Sequence, residues 1–228
     1  MTFEKVNSKV VRVDLGVTGD VLARRGAMLF YTGQVQFMPH SAGGMAAGGG
    51  MGGMGGLGGV AGMAGRAMAG EHEAMMAARG RGVVHYGRAG LHVTVVQLNG
   101  QQLTVEASRL LCHTANLQSS VVMLGQQGGL RSMVRGAVTG QGLFTSQLSG
   151  QGSVVLLSHG GTIELPVGGS QPVVVDPQAY VGHLGNVKVE LVVAAGWRDA
   201  VGKGSGEATQ LKLVGQGTVY VQASEQKL

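Results

Sequence analysis

Short runs in which apolar and polar residues alternate recur along the chain. Val11, Val13 and Leu15 alternate with Arg12 and Asp14; Leu91, Val93 and Val95 with His92 and Thr94; Val187, Val189 and Leu191 with Lys188 and Glu190; Val219 and Val221 with Thr218, Tyr220 and Gln222. A period of two puts one set of side chains against a core and the other in water, which predicts half-buried β-strands. Glycine turn signals separate the runs, and their spacing predicts an all-β fold of the sandwich or barrel-like kind. One stretch departs from the pattern. Ser41 to Gly65 carries no charge in 25 residues, 13 of them glycine, and reads as a Gly/Met-rich insertion (about residues 41–80) whose later part, Met63 to Ala78, is more helix-prone. Glycine contributes little transfer energy into hydrocarbon, so a loop is expected there and not a membrane span.

The runs also align with one another. Arg24 to Phe37 matches Asp176 to Val189 without gaps, and Glu106 to Ser119 is a third copy, so that Tyr31, His113 and His183 share one position. A second landmark pairs Leu148-Ser149-Gly150-Gln151-Gly152 with Leu213-Val214-Gly215-Gln216-Gly217, with Val96 to Leu103 as a weaker first copy. A third pairs Gly129-Leu130-Arg131 with Gly196-Trp197-Arg198, with Gly65-Arg66 in the corresponding slot. The expected organisation is three tandem β units, residues 1–101 (including the insertion), 102–171 and 172–228. Each is too small to carry much core, so the three are expected to pack as one compact body.

Composition sharpens this. Glycine supplies 43 of 228 residues against a usual ~7%, and proline only 4, which favours many tight turns and excludes collagen. The single cysteine, Cys112, excludes an internal disulfide framework and a Cys-rich zinc site, and fits a reducing compartment. The N-terminus lacks the basic flank and apolar core of a secretory signal, so a cytoplasmic location is expected. A net charge of +5 favours anionic partners without demanding one.

The element order from Gly128-Gly129-Leu130-Arg131 through Gly140-Gln141-Gly142-Leu143-Phe144 to the Leu148–Val155 hairpin resembles the tryptophan RNA-binding attenuator-like (TRAP-like) family that includes the altered-inheritance-of-mitochondria proteins. The resemblance covers nearly the whole chain. In place of that family's Ser/Thr-Gly-Glu turn the chain has Thr139-Gly140-Gln141. It implies three TRAP-like β-sandwich or double-stranded β-helix-like pseudo-repeats joined by short helical or glycine-rich connectors. It also implies a homotrimer forming a ring of nine units, with a link to inner-membrane organisation in the mitochondrial members.

Candidate chemistry is thin. Gly53 to Gly58 satisfies GxGxxG inside a glycine-rich run, without the flanking strand and acidic residue of a dinucleotide site. Glu71-His72-Glu73 reads as a solvated face, Cys112 as a small buried filler beside His113, and no paired carboxylates or GxSxG elbow occur. No enzymatic activity, metal or cofactor is expected. Tyr31, His113 and His183 are the candidate inter-unit partner-binding points. Arg66, Arg131, Arg135 and Arg198 are the candidate contacts to anionic partners such as acidic lipid or protein carboxylates. The expected function is a non-enzymatic oligomeric scaffold or membrane-peripheral organiser. The alternative is a ring that binds a ligand or single-stranded RNA between units, for which basic and aromatic residues are sparse.

Overall fold

The computed structural model describes residues 2–40, 75–123, 144–193 and 209–225. Its strands are β1 (Glu4–Asn7), β2 (Val10–Asp14), β3 (Val21–Arg24), β4 (Met28–His40), β5 (Met75–Tyr86), β6 (His92–Asn99), β7 (Leu103–Glu106) and β8 (Leu110–Thr114). They continue as β9 (Gln118–Met123), β10 (Phe144–Ser149), β11 (Gln151–Ser158), β12 (Thr162–Val167), β13 (Val173–Val175), β14 (Tyr180–Val193) and β15 (Thr209–Gln222). Helical structure among the described residues is limited to α1 (Leu15–Thr18), capped by the Asp14 carboxylate on the Gly16 amide, and one 3₁₀ turn, Ala107–Arg109. The chain is all-β, as the alternating runs predict.

The strands form two sheets. One runs β1-β2-β5-β3-β8-β11-β6 with β4 also paired to β5; the other runs β12-β15-β14-β7-β10-β9 with β13 also paired to β15. Every pairing is antiparallel. The cores follow the pairing. Phe3, Val11, Val13, Val84, Tyr86, Leu111 and Val155 pack together under the first sheet. Tyr180, Leu211, Leu213 and Val219 do so under the second. Between them a third cluster draws on both sheets, with Leu22, Leu98 and Leu156 from one meeting Leu103, Leu148, Val181 and Tyr220 from the other. Burial of such side chains is the main favourable contribution, roughly 1.5–3 kcal/mol each.

One pairing plan occurs in three places. A long strand has a long partner on one side and two short strands, end to end, on the other. For β5 the long partner is β4 and the short ones are β2 and β3. For β15 they are β14, then β12 and β13. In the middle stretch each long strand is divided: β11 and β10 stand for one, β8 and β9 for the other, and β6 and β7 are the short strands. Where the long strand passes from one short partner to the next lies a Gly-x-Gly: Gly80-Arg81-Gly82, Gly150-Gln151-Gly152 and Gly215-Gln216-Gly217. The first glycine has φ of 115°, 115° and 127° respectively, a conformation that side-chain-bearing residues rarely adopt.

Two readings are corrected here. Met75 to Ala78, taken as the helix-prone end of the insertion, begins β5 and pairs with both β3 and β4. The first copy of the glycine hairpin is Gly80-Arg81-Gly82, whereas Gly100 occupies an open turn between β6 and β7. Pairing also joins β6 to β11 and β12 to β15.

Candidate assembly edges and the shared histidine position

The register puts Tyr31, His113 and His183 at matching places. Each lies opposite a valine two residues beyond the second glycine of a Gly-x-Gly: Tyr31 faces Val84, His113 faces Val154 and His183 faces Val219. On its other side His113 faces Leu22 of β3, and His183 faces Thr104 of β7. Both histidines therefore stand where one stretch of the chain joins the next. Neither offers a surface, since both rings are buried.

Burial sets their chemistry. The His113 Nδ1–H donates to the Thr114 carbonyl at 2.9 Å. Desolvation lowers the His113 pKa to about 4, the Thr114 bond acting the other way and the charge of His40 adding to the depression. His183 is also lowered to about 4 by burial, and its Nδ1 shares a hydrogen bond with the Tyr180 hydroxyl at 2.7 Å. Both rings are neutral at pH 7. Burial likewise pushes up the hydroxyl of Tyr180 and the thiol of Cys112, a fully buried residue of β8 opposite Val155 and Ala23. A thiol held in its protonated form is a poor nucleophile, and this leaves Cys112 as packing. Among the described residues no group of three or more His, Cys, Asp or Glu comes together as a metal site would require.

Tyr31 differs. It lies on β4, which pairs only with β5, and its ring meets Phe37 edge-on at 5.4 Å while neighbouring Phe30 stacks on His85 at 4.0 Å. Met28, Leu29, Phe30 and Tyr31 are all exposed, which makes an apolar strip on a strand whose outer edge has no partner among the described residues. In the second sheet β13 pairs, among the described residues, only with β15, and Val174 on it is exposed. A sequence reading picks out Tyr31 but misses Met28 to Phe30 and Val174, because an apolar run in a β pattern reads as core. The candidate arginines Arg66, Arg131, Arg135 and Arg198 lie outside the described residues, as does most of the Gly/Met-rich insertion.

The family model for mitochondrial biogenesis AIM24 matches residues 1–224. The chain belongs to that family. As an AIM24-family protein it has a solved structural neighbour, a Streptococcus pyogenes protein determined by X-ray crystallography in a structural genomics programme. The two share 19% identity and superpose with a TM-score of 0.68 over 98% of this chain and 92% of the other. At that identity the likeness establishes the fold. No curated protein matches the chain. The AIM24 family description ties the chain to mitochondrial biogenesis, where the sequence reading looked to the cytoplasm. Among the described residues of this AIM24 protein, no helix is long and apolar enough to cross a membrane.

Proposed function

We propose that this AIM24-family protein is a non-enzymatic, self-assembling scaffold built from three TRAP-like pseudo-repeats, and that it works at a membrane surface as a homotrimeric ring. The observation that carries this reading is the apolar strip Met28, Leu29, Phe30 and Tyr31 on β4, whose outer edge has no partner among the described residues. A long open strand edge with exposed apolar side chains invites another chain, and closing a ring removes the open edge. The recurring pairing plan with its three Gly-x-Gly steps supports the pseudo-repeat reading, because one pattern of glycine strain at three places is economically explained by duplication. Membrane-peripheral action is supported by the family description and by the composition of the connectors that follow β4, β9 and β14, which hold the methionines of the insertion together with Arg66, Arg131, Arg135 and Arg198.

The test is mass determination by light scattering, run beside co-sedimentation with anionic vesicles and with single-stranded RNA. A trimer that sediments with acidic vesicles is the expected result. A stable monomer near 23.2 kDa at micromolar concentration defeats the assembly. Salt-sensitive binding to RNA with no vesicle binding moves the function to the RNA-binding ring.

A further inference from the structure

Two junctions inside the chain show how one stretch attaches to the next. In the first, β3 lies beside β8 with Val21 opposite Thr114, Leu22 opposite His113 and Ala23 opposite Cys112. In the second, β7 lies beside β14 with Leu103 opposite Leu184, Thr104 opposite His183 and Val105 opposite Gly182. Both use the second short strand of one stretch and the long strand of the following one, in the same register. Two strands fill these roles and have no such partner among the described residues: β13, the second short strand of the last stretch, and β4, the long strand of the first.

We infer that β13 of one copy pairs antiparallel with β4 of the next copy in the register of the two internal junctions, with Val173 opposite Thr32, Val174 opposite Tyr31 and Val175 opposite Phe30. This rests on the self-assembly proposed above and names the edges that make it.

The positions follow from the internal pairings. Val173, Val174 and Val175 face Leu213, Lys212 and Leu211 of β15 just as Leu103, Thr104 and Val105 face Leu148, Gln147 and Ser146 of β10. Side-chain exposure then separates filled from unfilled junctions. Tyr31 is 44% exposed where His113 and His183 are 1% and 6%. Leu29 is 50% exposed; Leu111 and Val181, which occupy the same irregular step in their ladders, are both 0%. Val174 is 50% exposed, against 7% for Leu22 and 5% for Thr104. The residues left open on β4 and β13 are thus the counterparts of those that neighbouring strands cover elsewhere. Charge agrees as well. Arg24, the last residue of β3, donates to the Ala107 carbonyl across the first junction. The corresponding residues at the proposed junction are Asp176 and Arg25, which carry opposite charges. Because the two edges differ, the contact is head-to-tail, and it closes only as a ring.

Engineered cysteines test the register. Facing residues of antiparallel strands have Cα atoms about 4.5–5.5 Å apart, within disulfide range. A chain carrying both Tyr31→Cys and Val174→Cys is expected to give a covalent ladder of multimers under mild oxidation. Chains carrying one substitution each are expected to link only when mixed, and then only as dimers. Gln36→Cys with Val174→Cys, offset by five residues or about 17 Å along the strand, is expected to give none. Cross-linking of either single variant with itself overturns the proposal, since like edges would then meet. So does an internally linked monomer, which would mean closure within one chain. A large assembly without the matched cross-link overturns this interface and spares the scaffold reading, whereas a monomer at micromolar concentration overturns both. As a second measurement, Leu29→Asp and Val174→Asp alter side chains exposed in the single chain. Each is expected to weaken assembly at least 100-fold while the circular dichroism spectrum stays that of the parent; full retention of assembly in both overturns the proposal.

Discussion

The outer long hairpins and the divided middle one follow the same pairing plan and end up differently. In β4 and β14 the strand continues through Thr32-Gly33-Gln34 and Leu184-Gly185-Asn186, with φ of 89° at Gly33 and 96° at Gly185. A Cβ at Gly33 would lie 2.7 Å from the Arg81 carbonyl oxygen, and one at Gly185 2.9 Å from that of Gln216. The middle stretch has alanine at this place. Ala115 does not adopt positive φ, the strand stops at Thr114, and β9 resumes at Gln118 on the other sheet. The turn is held by the Asn116 side-chain amide donating to the Gln151 carbonyl at 2.6 Å and by Leu117 lying over Gly150 and Gly152. A methyl group in place of a hydrogen thus accompanies the change from one kinked ribbon to two strand pairs, and those pairs are what tie the two sheets together.

Acid gives the largest expected effect on this comparison. His113 in the middle stretch and His183 in the last are neutral in the fold, with pKa lowered to about 4 from an ordinary 6.5. The unfolded chain takes up more protons between those values, so stability is complete above about pH 6.5 and falls as the pH drops towards 4, by roughly 3 kcal/mol for each ring. Melting temperature measured between pH 7.5 and 4 is expected to fall steeply, and replacing both histidines with phenylalanine should flatten the curve. Amide exchange at low pH should quicken at β8 and β14, and much less at β4, where Tyr31 takes the place of a histidine.

Next in size are the second glycines. A Cβ at Gly217 or Gly82 would overlap a backbone oxygen, that of Leu184 or Thr32, whereas one at Gly152 would meet side chains only, those of Leu117 and of Thr114, whose Oγ1 accepts from the Ser153 amide. Gly217→Ala and Gly82→Ala should each cost about 3 kcal/mol in denaturant unfolding, and Gly152→Ala about 2, since only side chains and one buried hydrogen bond give way. Equal losses would mean that the middle hairpin is as tightly built as the outer ones. A smaller cost, about 1–2 kcal/mol, is expected for Gly185→Ala, which imposes positive φ on alanine. Ala115→Gly should cost under 1 kcal/mol, since the turn it occupies needs no side chain. The smallest effect belongs to Arg79→Ala. Its ion pair with Asp20, at 2.7 Å, is exposed and worth less than about 1 kcal/mol.

Much of the β framework was legible in the alternating runs, because a period of two is what a half-buried strand demands. Val11, Val13, Leu91, Val93, Val219 and Val221 are all buried. The gapless match of Tyr31, His113 and His183 also anticipated their common register, since the alignment followed the long strands themselves. The alternation is looser elsewhere: Val95, Val187 and Val189 are only partly buried, Tyr220 and Gln222 on the opposite phase are buried, and Leu191 faces solvent. Leu191 sits far along β14, beyond the pairing with β7. The Gly80-Arg81-Gly82 step was hidden because its surroundings, Arg79 and Arg81 after Met75 to Ala78, carry neither the leucine nor the glutamine of the other two copies. Which apolar residues face solvent was not legible at all. Met28, Leu29 and Phe30 look no different in sequence from Leu110, Leu111 and Cys112, and the distinction arises only from which strand lies alongside.

The position of Cys112 has a practical consequence. The residue lies on β8, flanked by β3 and β11 in the first sheet, and its thiol is protonated and shut within the core. An alkylating reagent can reach it only during moments when that core opens, so the rate of thiol modification in the unaltered protein is a stopwatch for opening of the core. With a single cysteine in the chain, every molecule keeps the same time and no label need be introduced.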